Sequence, residues 1–311
     1  MVVGGLGGGG DVGLAAILAS MLRGVRVVYA SFSGCHPERY RGRRVAGSLV
    51  EPGEYHPRDF EWALSRAFPG AEVYRLCVAG GFEGVMEGLR WLDRRYSPKC
   101  TIHADIGGDG LLTGYESSLG SYRIDSIARA ALAEASERLG WKSLVAVGGL
   151  GLEGGRRREL DLGELVAGLL YYEDMGALLG VVEPPSDRAG IAWRLMHPGR
   201  EMVSVMLPLY AAALRGKTAF RVEKGYSTGL HRIDWWAKYV FILDARRSCE
   251  ASPLCIAARS DWNKIWGPWS PPKPPRGYLK ALRKARQDPE DHLRRIVRRM
   301  LDNTLLEKHC A

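Results

Sequence analysis

The chain opens on a short apolar run, Met1-Val2-Val3, that passes directly into Gly4-Gly5-Leu6-Gly7-Gly8-Gly9-Gly10-Asp11 and an apolar helical stretch. Six glycines in seven positions carry a heavy cost in backbone entropy. Strand, glycine turn and helix in that order belong to α/β folds, with the turn at the carboxyl edge of a sheet. A ligand lying on the main chain at the helix start offsets such a cost. Anions suit that place, because the first N–H groups lack helical partners and the helix dipole is positive there. A tight turn with close helix–strand packing is the alternative, and it leaves so long a glycine run unexplained.

The rest of the first half alternates strand-like and helix-like segments. Strands are expected over residues 25–31, 72–78, 99–106 and 144–147, and helices over 59–68, 82–96 and 124–139. That alternation implies βαβ crossovers and a parallel sheet covered on both faces. Gly80-Gly81, Gly107-Gly108 and Gly148-Gly149 each follow an apolar run, which places them at the same carboxyl edge. Beyond residue 159 two apolar helical stretches, 160–179 and 191–214, precede strand candidates at 218–222 and 239–243. They predict a helical layer with a sheet extension or small subdomain within 160–250. Residues 1–250 thus form the α/β domain, 251–276 a Trp/Pro-rich linker and 277–311 a basic helical tail.

Charge follows the same division. Residues 273–311 hold eleven Lys/Arg against five Asp/Glu, a net +6 out of +9 for the whole chain. No uninterrupted apolar run approaches the roughly 20 residues of a membrane span, and nothing frames residues 12–22 as a signal peptide. A cytoplasmic protein is the expectation. The six cysteines contain no C-x-x-C pair, which argues against a zinc ribbon or a secreted disulfide framework. Cys77 and Cys100 sit in strand-like runs and read as buried thiols, while Cys249 and Cys255 could bridge.

The glycine loop formally contains the dinucleotide pattern Gly5-x-Gly7-x-x-Gly10, a weak match where glycines are so dense. The fingerprint also wants an acid at the end of the second strand, and Tyr29-Ala30-Ser31-Phe32-Ser33 supplies none. Ser31 with Arg39 or Arg41 would suit a 2′-phosphate, which keeps an NAD(P)-binding protein as an alternative. Asp11 at the helix start is either an N-cap or a cation ligand, since a bare carboxylate in an anion cradle repels phosphate.

The second cluster is Thr101-Ile102-His103-Ala104-Asp105-Ile106-Gly107-Gly108-Asp109-Gly110. Strand alternation puts His103 and Asp105 on one face near the strand end. Asp105 and Asp109, on either side of two glycines, can converge oxygens on one point. Mg²⁺ takes one or two carboxylates plus substrate phosphates. Turn formation by the Asp-Gly steps is the plain alternative, as is a core role for His103.

The two motifs together, Gly4–Asp11 and His103–Gly110, resemble an uncharacterised, mainly archaeal family known only as a domain of unknown function. The resemblance covers about the first 250 residues. It implies a Rossmann-like fold and no particular activity. The first strand is short beside that family, so the natural chain is expected to start several residues earlier.

The reading that results is an enzyme binding a phosphorylated small molecule or nucleotide. Gly5, Gly7, Gly8, Gly9 and Gly10, with Gly107 and Gly108, present the backbone to it. Asp11, Asp105 and Asp109 hold Mg²⁺, while Asp105, Asp109 and His103 serve the chemistry of phosphoryl transfer or hydrolysis. Two other readings use different features. An RNA binder would use the basic tail beside Trp262, Trp266 and Trp269, and a regulator would use the same pocket without turnover. A homo-oligomer fits either. Weaker signals are the Cys35-His36 neighbours and the basic runs at 39–44 and Arg156–Arg158, which overhang the ligand edge or are simply solvated.

Overall fold

A computed structural model describes residues 1–53, 59–116, 122–152, 161–196, 204–223 and 228–310. Arg156–Arg158 lie outside the described residues. The chain begins β1 (Val2–Gly5), α1 (Gly9–Ala19) and β2 (Val28–Ser33), followed by a hairpin of β3 (Gly42–Ala46) and β4 (Leu49–Pro52). Next come α2 (Phe60–Ala67), β5 (Glu72–Cys77), α3 (Gly81–Tyr96), β6 (Cys100–Ile106), α4 (Tyr122–Arg138) and β7 (Lys142–Gly148). The second half adds α5 (Leu162–Asp174), β8 (Leu178–Val182), α6 (Ala189–Met196), α7 (Met206–Leu214) and the pair β9 (Ala219–Val222) and β10 (Gly229–Arg232). It closes with β11 (Val240–Asp244), α8 (Ala245–Glu250), α9 (Pro253–Ser260), α10 (Arg276–Gln287), α11 (Pro289–Met300) and α12 (Leu305–Cys310).

Nine strands form one sheet in the order β3-β4-β5-β2-β1-β6-β7-β11-β8. The five central strands run parallel, whereas β3, β4 and β11 bring antiparallel pairings. Sheet growth proceeds from β1 to β2 and β5 on one side, then resumes at β6 and β7 on the other. The reversal lies between β1 and β6. Outside the carboxyl ends of such a strand pair a crevice opens, because the connections leave in opposite directions.

Period-two alternation divides the core into two layers. Val2, Ala30, Phe32, Val145 and Val147 pack with α3, α4 and α5 and with α8 through α11. Val3, Ile102, Ala104, Ile106 and Ala146 pack with α1, α2, α6, α7 and α12. Both faces are therefore covered by helices, as near-continuous apolar parallel strands require.

Several expectations change. The helix expected over 160–179 ends at Asp174; Gly176, at φ +65°, reverses the chain into β8. The stretch 42–52 is an edge hairpin, in which Arg43 pairs with Glu51 at 2.8 Å and Arg44 Nε donates to the Gly47 carbonyl. Residues 253–260 of the expected linker are helical. Trp262 is buried and Trp269 donates its indole N–H to the Gly114 carbonyl at 3.1 Å. The basic tail is built into the fold as well. Tyr278, Ala281, Leu293, Ile296 and Val297 belong to one core layer, and Leu305 and Leu306 to the other.

All six cysteines are paired: Cys35–Cys77, Cys100–Cys310 and Cys249–Cys255, at Cα separations of 4.7, 5.2 and 5.1 Å. Cys77 and Cys100 are therefore half-cystines, not the buried thiols expected. Their partners lie 42 and 210 residues away, distances at which sequence carries no pairing signal. The bond of Cys35 also removes it as a nucleophile for His36. No described helix is long and apolar enough to cross a membrane.

Candidate functional site

The glycine loop leaves β1 at the switch point and enters α1 at Gly9. Its composition is explained largely by protein packed on protein. A Cβ on Gly4 would lie 2.0 Å from the Ala30 carbonyl oxygen, and one on Gly9 would lie 2.0 Å from the Phe60 ring. On Gly5 it would meet the Asp11 Cβ at 2.8 Å. The donors expected to face a ligand are partly used. Gly5 N–H donates to Ser31 Oγ at 2.9 Å, and the N–H groups of Gly7 and Gly8 donate to Asp11 Oδ2. The loop thus cradles an anion, and the anion is its own carboxylate. Gly9 and Gly10, in the first turn of α1, are the amides still available to a ligand among the described residues.

Asp11 does more than cap its helix. Its second oxygen accepts the Ile106 N–H at 3.0 Å, tying α1 to the end of β6 across the switch point. On β6, Ile102, Ala104 and Ile106 face the α1 layer, so alternation turns Thr101, His103 and Asp105 to the other face. Asp105 stands at the strand end, where its Oδ2 accepts the Gly110 N–H at 2.8 Å. Gly107 and Gly108, at φ +141° and +148°, turn the chain back so that this bond can form. The Gly107 amide itself is taken by the Gly148 carbonyl.

From the first turn of α4 comes a third carboxylate, Asp125. One oxygen each from Asp11, Asp105 and Asp125 lies within 4.8 Å of the others. All three residues are buried, at 6%, 4% and 6% exposure. They line a cavity of about 320 Å³ with Gly7–Gly10, Asp109, Phe60, Ile124 and Ser204–Met206. Of the expected set Asp11, Asp105 and Asp109, the first two come together with Asp125, and Asp109 lines the cavity beside them. Asp125 was missed because no motif surrounds it. Its only sequence signal is an acid in the first turn of a helix that starts above the sheet edge.

Burial pushes Asp11 up to about 6, against the opposing pull of the Gly8, Ile106 and Gly7 amides. Burial likewise raises Asp105 well above the carboxylate range, and the charges of Asp11 and Asp109 raise it further. Several carboxylates so close, out of water, cannot all stay charged alone. Protons or a cation must share them. Oxygen-only ligands on rigid elements, with an open cavity beside them, suit a hard divalent ion that keeps sites for water and phosphate.

His103 stands apart from this constellation. It is fully buried, with Nδ1 at 2.9 Å from Thr101 Oγ1 and Nε2 at 2.9 Å from the Ala30 carbonyl. Burial, only partly opposed by the Ala30 bond, lowers its pKa to about 4. Both ring nitrogens are engaged and the cavity lining does not include it. Strand alternation placed it on the Asp105 face correctly, but one step deeper than the edge.

The family described as "Protein of unknown function (DUF1152)" matches residues 52–264, about two thirds of the chain. The match contains the His103–Gly110 motif and Asp125 and begins after the glycine loop. No curated protein and no solved structure matches the chain. The chain belongs to the DUF1152 family.

Proposed function

We propose that this DUF1152 protein binds a divalent cation at Asp11, Asp105 and Asp125, and through it a phosphorylated small molecule or nucleotide. The observation that carries the reading is the buried carboxylate trio in a cavity at the β1/β6 reversal. The strand order β5-β2-β1-β6-β7 supports reading the parallel centre as Rossmann-like, a sheet whose ligands sit in such a crevice. The first-turn amides of Gly9 and Gly10 would meet phosphate oxygens on the far side of the cation. Such parts suit phosphoryl transfer or hydrolysis, which asks for positioning and charge neutralisation more than for covalent chemistry. Asp109 lines the same cavity, and in this reading it orients a water or hydroxyl. His103 takes no part in this scheme, because both its nitrogens are occupied.

The RNA reading is not adopted, since Trp262 and Trp269 are held in the fold and only Trp266 is markedly exposed. Isothermal calorimetry tests the proposal with Mg²⁺ and Mn²⁺ first, then with nucleotides and sugar phosphates in the presence and absence of cation. A saturable cation site and at least tenfold tighter binding of one phosphorylated compound with cation are expected. Equal binding of that compound in EDTA would overturn the role of the cation.

A further inference from the structure

A second cleft, of about 340 Å³, lies between α5, α10 and α11 and shares no residue with the first. One wall is the helix α10, which carries five Lys/Arg and no acid. None of these five cations forms an ion pair among the described residues. Lys280 and Lys284 both line the cleft from this wall. Separated by four residues, they stand one turn apart on one helix face, where like charges repel. The facing helix repeats the arrangement: Arg295 and Arg299, again four apart, line the same cleft. A helix needs no such pairing for its own stability, and an acid at either place would relieve it.

Three acids stand about this charge, Glu173 and Asp174 in the lining itself and Asp291 beside it, and they answer it only in part. Arg295 pairs with Asp291 at 2.5 Å and Arg299 pairs with Glu173 of α5, leaving the two lysines unanswered. Leu170, Ala281 and Ile296 supply the apolar part of the lining, and the cations come from two helices, α10 and α11, so an anion in the cleft would meet them from two sides. Among the described lining residues no Phe, Tyr or Trp occurs and His292 is the single ring, too little for the successive stacking faces that track a single strand. The volume falls within the range of small-molecule pockets.

We infer that this cleft is a second binding site, for a small, multiply charged phosphate compound. Lys280 and Lys284 supply point charges from one wall, and Arg295 and Arg299 supply planar donors from the other. Several anionic oxygens on one compact ligand can satisfy both walls at once, whereas a single carboxylate reaches only one.

The test uses inorganic tripolyphosphate in metal-free, EDTA-containing buffer, with the full chain and calorimetric detection. EDTA silences the Asp105 site, so this experiment stands or falls independently of the first cavity. Saturable binding is expected, weakened at least tenfold in Lys280→Glu/Lys284→Glu and unchanged in Asp105→Asn. Both lysines are exposed, and the milder Lys280→Gln/Lys284→Gln should show a smaller loss in the same direction. Absence of saturable binding, or equal binding by the Lys280→Glu/Lys284→Glu protein, would overturn the proposal. A single-stranded oligoribonucleotide that binds through the same lysines while tripolyphosphate does not would overturn it too, in favour of a nucleic-acid surface.

Discussion

Asp105→Asn is expected to weaken divalent-cation binding at least 100-fold and, at the same time, to raise the melting temperature of the metal-free protein. The two effects have one cause. Asp105 is buried against Asp11 and Asp109, and at neutral pH without cation the fold must bear that crowding. An asparagine keeps a carbonyl oxygen for the Gly110 N–H and needs neither the charge nor the proton that a buried acid must hold there, so the metal-free fold gains. An increase of about 2–4 °C corresponds to about 1 kcal/mol in a domain of 150–250 residues. Asp11→Asn should behave in the opposite way. Its two oxygens accept from Gly7, Gly8 and Ile106, and an amide must turn its own donor toward one of them. That mismatch costs about 1–3 kcal/mol. Thermal melts of both variants in EDTA at pH 7.5, beside cation titrations, read both effects. A destabilised Asp105→Asn protein that still binds cation normally would make Asp105 a turn residue.

Cation affinity is expected to fall steeply as pH drops below about 6, by at least tenfold between pH 7 and pH 5. The folded protein holds a proton on Asp11 up to about 6, where an unfolded aspartate releases it near 3.8. Stability from that proton is complete below the unfolded value and is lost as pH rises through about 6. The difference amounts to about 3 kcal/mol at neutral pH in the absence of cation. A cation binds the deprotonated trio, so its stabilisation runs the other way and grows as pH rises through the same window. His103 acts in the opposite direction in the metal-free protein. Its folded pKa, lowered to about 4, favours the neutral ring, so stability from it is lost as pH falls from the unfolded value near 6.5. The cation-induced shift in melting temperature, measured at each pH against EDTA, separates the carboxylates from the histidine. A shift of constant size from pH 5 to pH 8 would show that the trio does not titrate with cation binding.

The parallel centre of the sheet was legible because its signal is local. Val2-Val3, residues 99–106 and residues 144–147 are apolar runs followed by glycine, and all became central strands. The edges were harder to read. The β3–β4 hairpin carries Arg43, Arg44 and Glu51, whose charges look like a loop and instead pair across an edge. Of the candidate site, Asp11, Asp105 and Asp109 stood out by spacing near glycines. Asp125 joins them only through the packing of α4, and packing leaves no trace at i±4. The glycine run misled for a related reason. A sequence shows that side chains are excluded, but not whether a ligand or another protein segment excludes them. Here Ala30, Phe60 and Asp11 itself do so at Gly4, Gly9 and Gly5. The disulfides were illegible for the same reason as Asp125: Cys100 and Cys310 meet only after the tail has docked.

The most direct measurement is anomalous X-ray scattering from crystals of the protein grown with Mn²⁺. The proposal predicts one strong peak bounded by the oxygens of Asp11, Asp105 and Asp125, absent from crystals of Asp105→Asn. A protein that crystallises at saturating Mn²⁺ with no peak in that cavity, its three carboxylates bonded only to one another through protons, would contradict it.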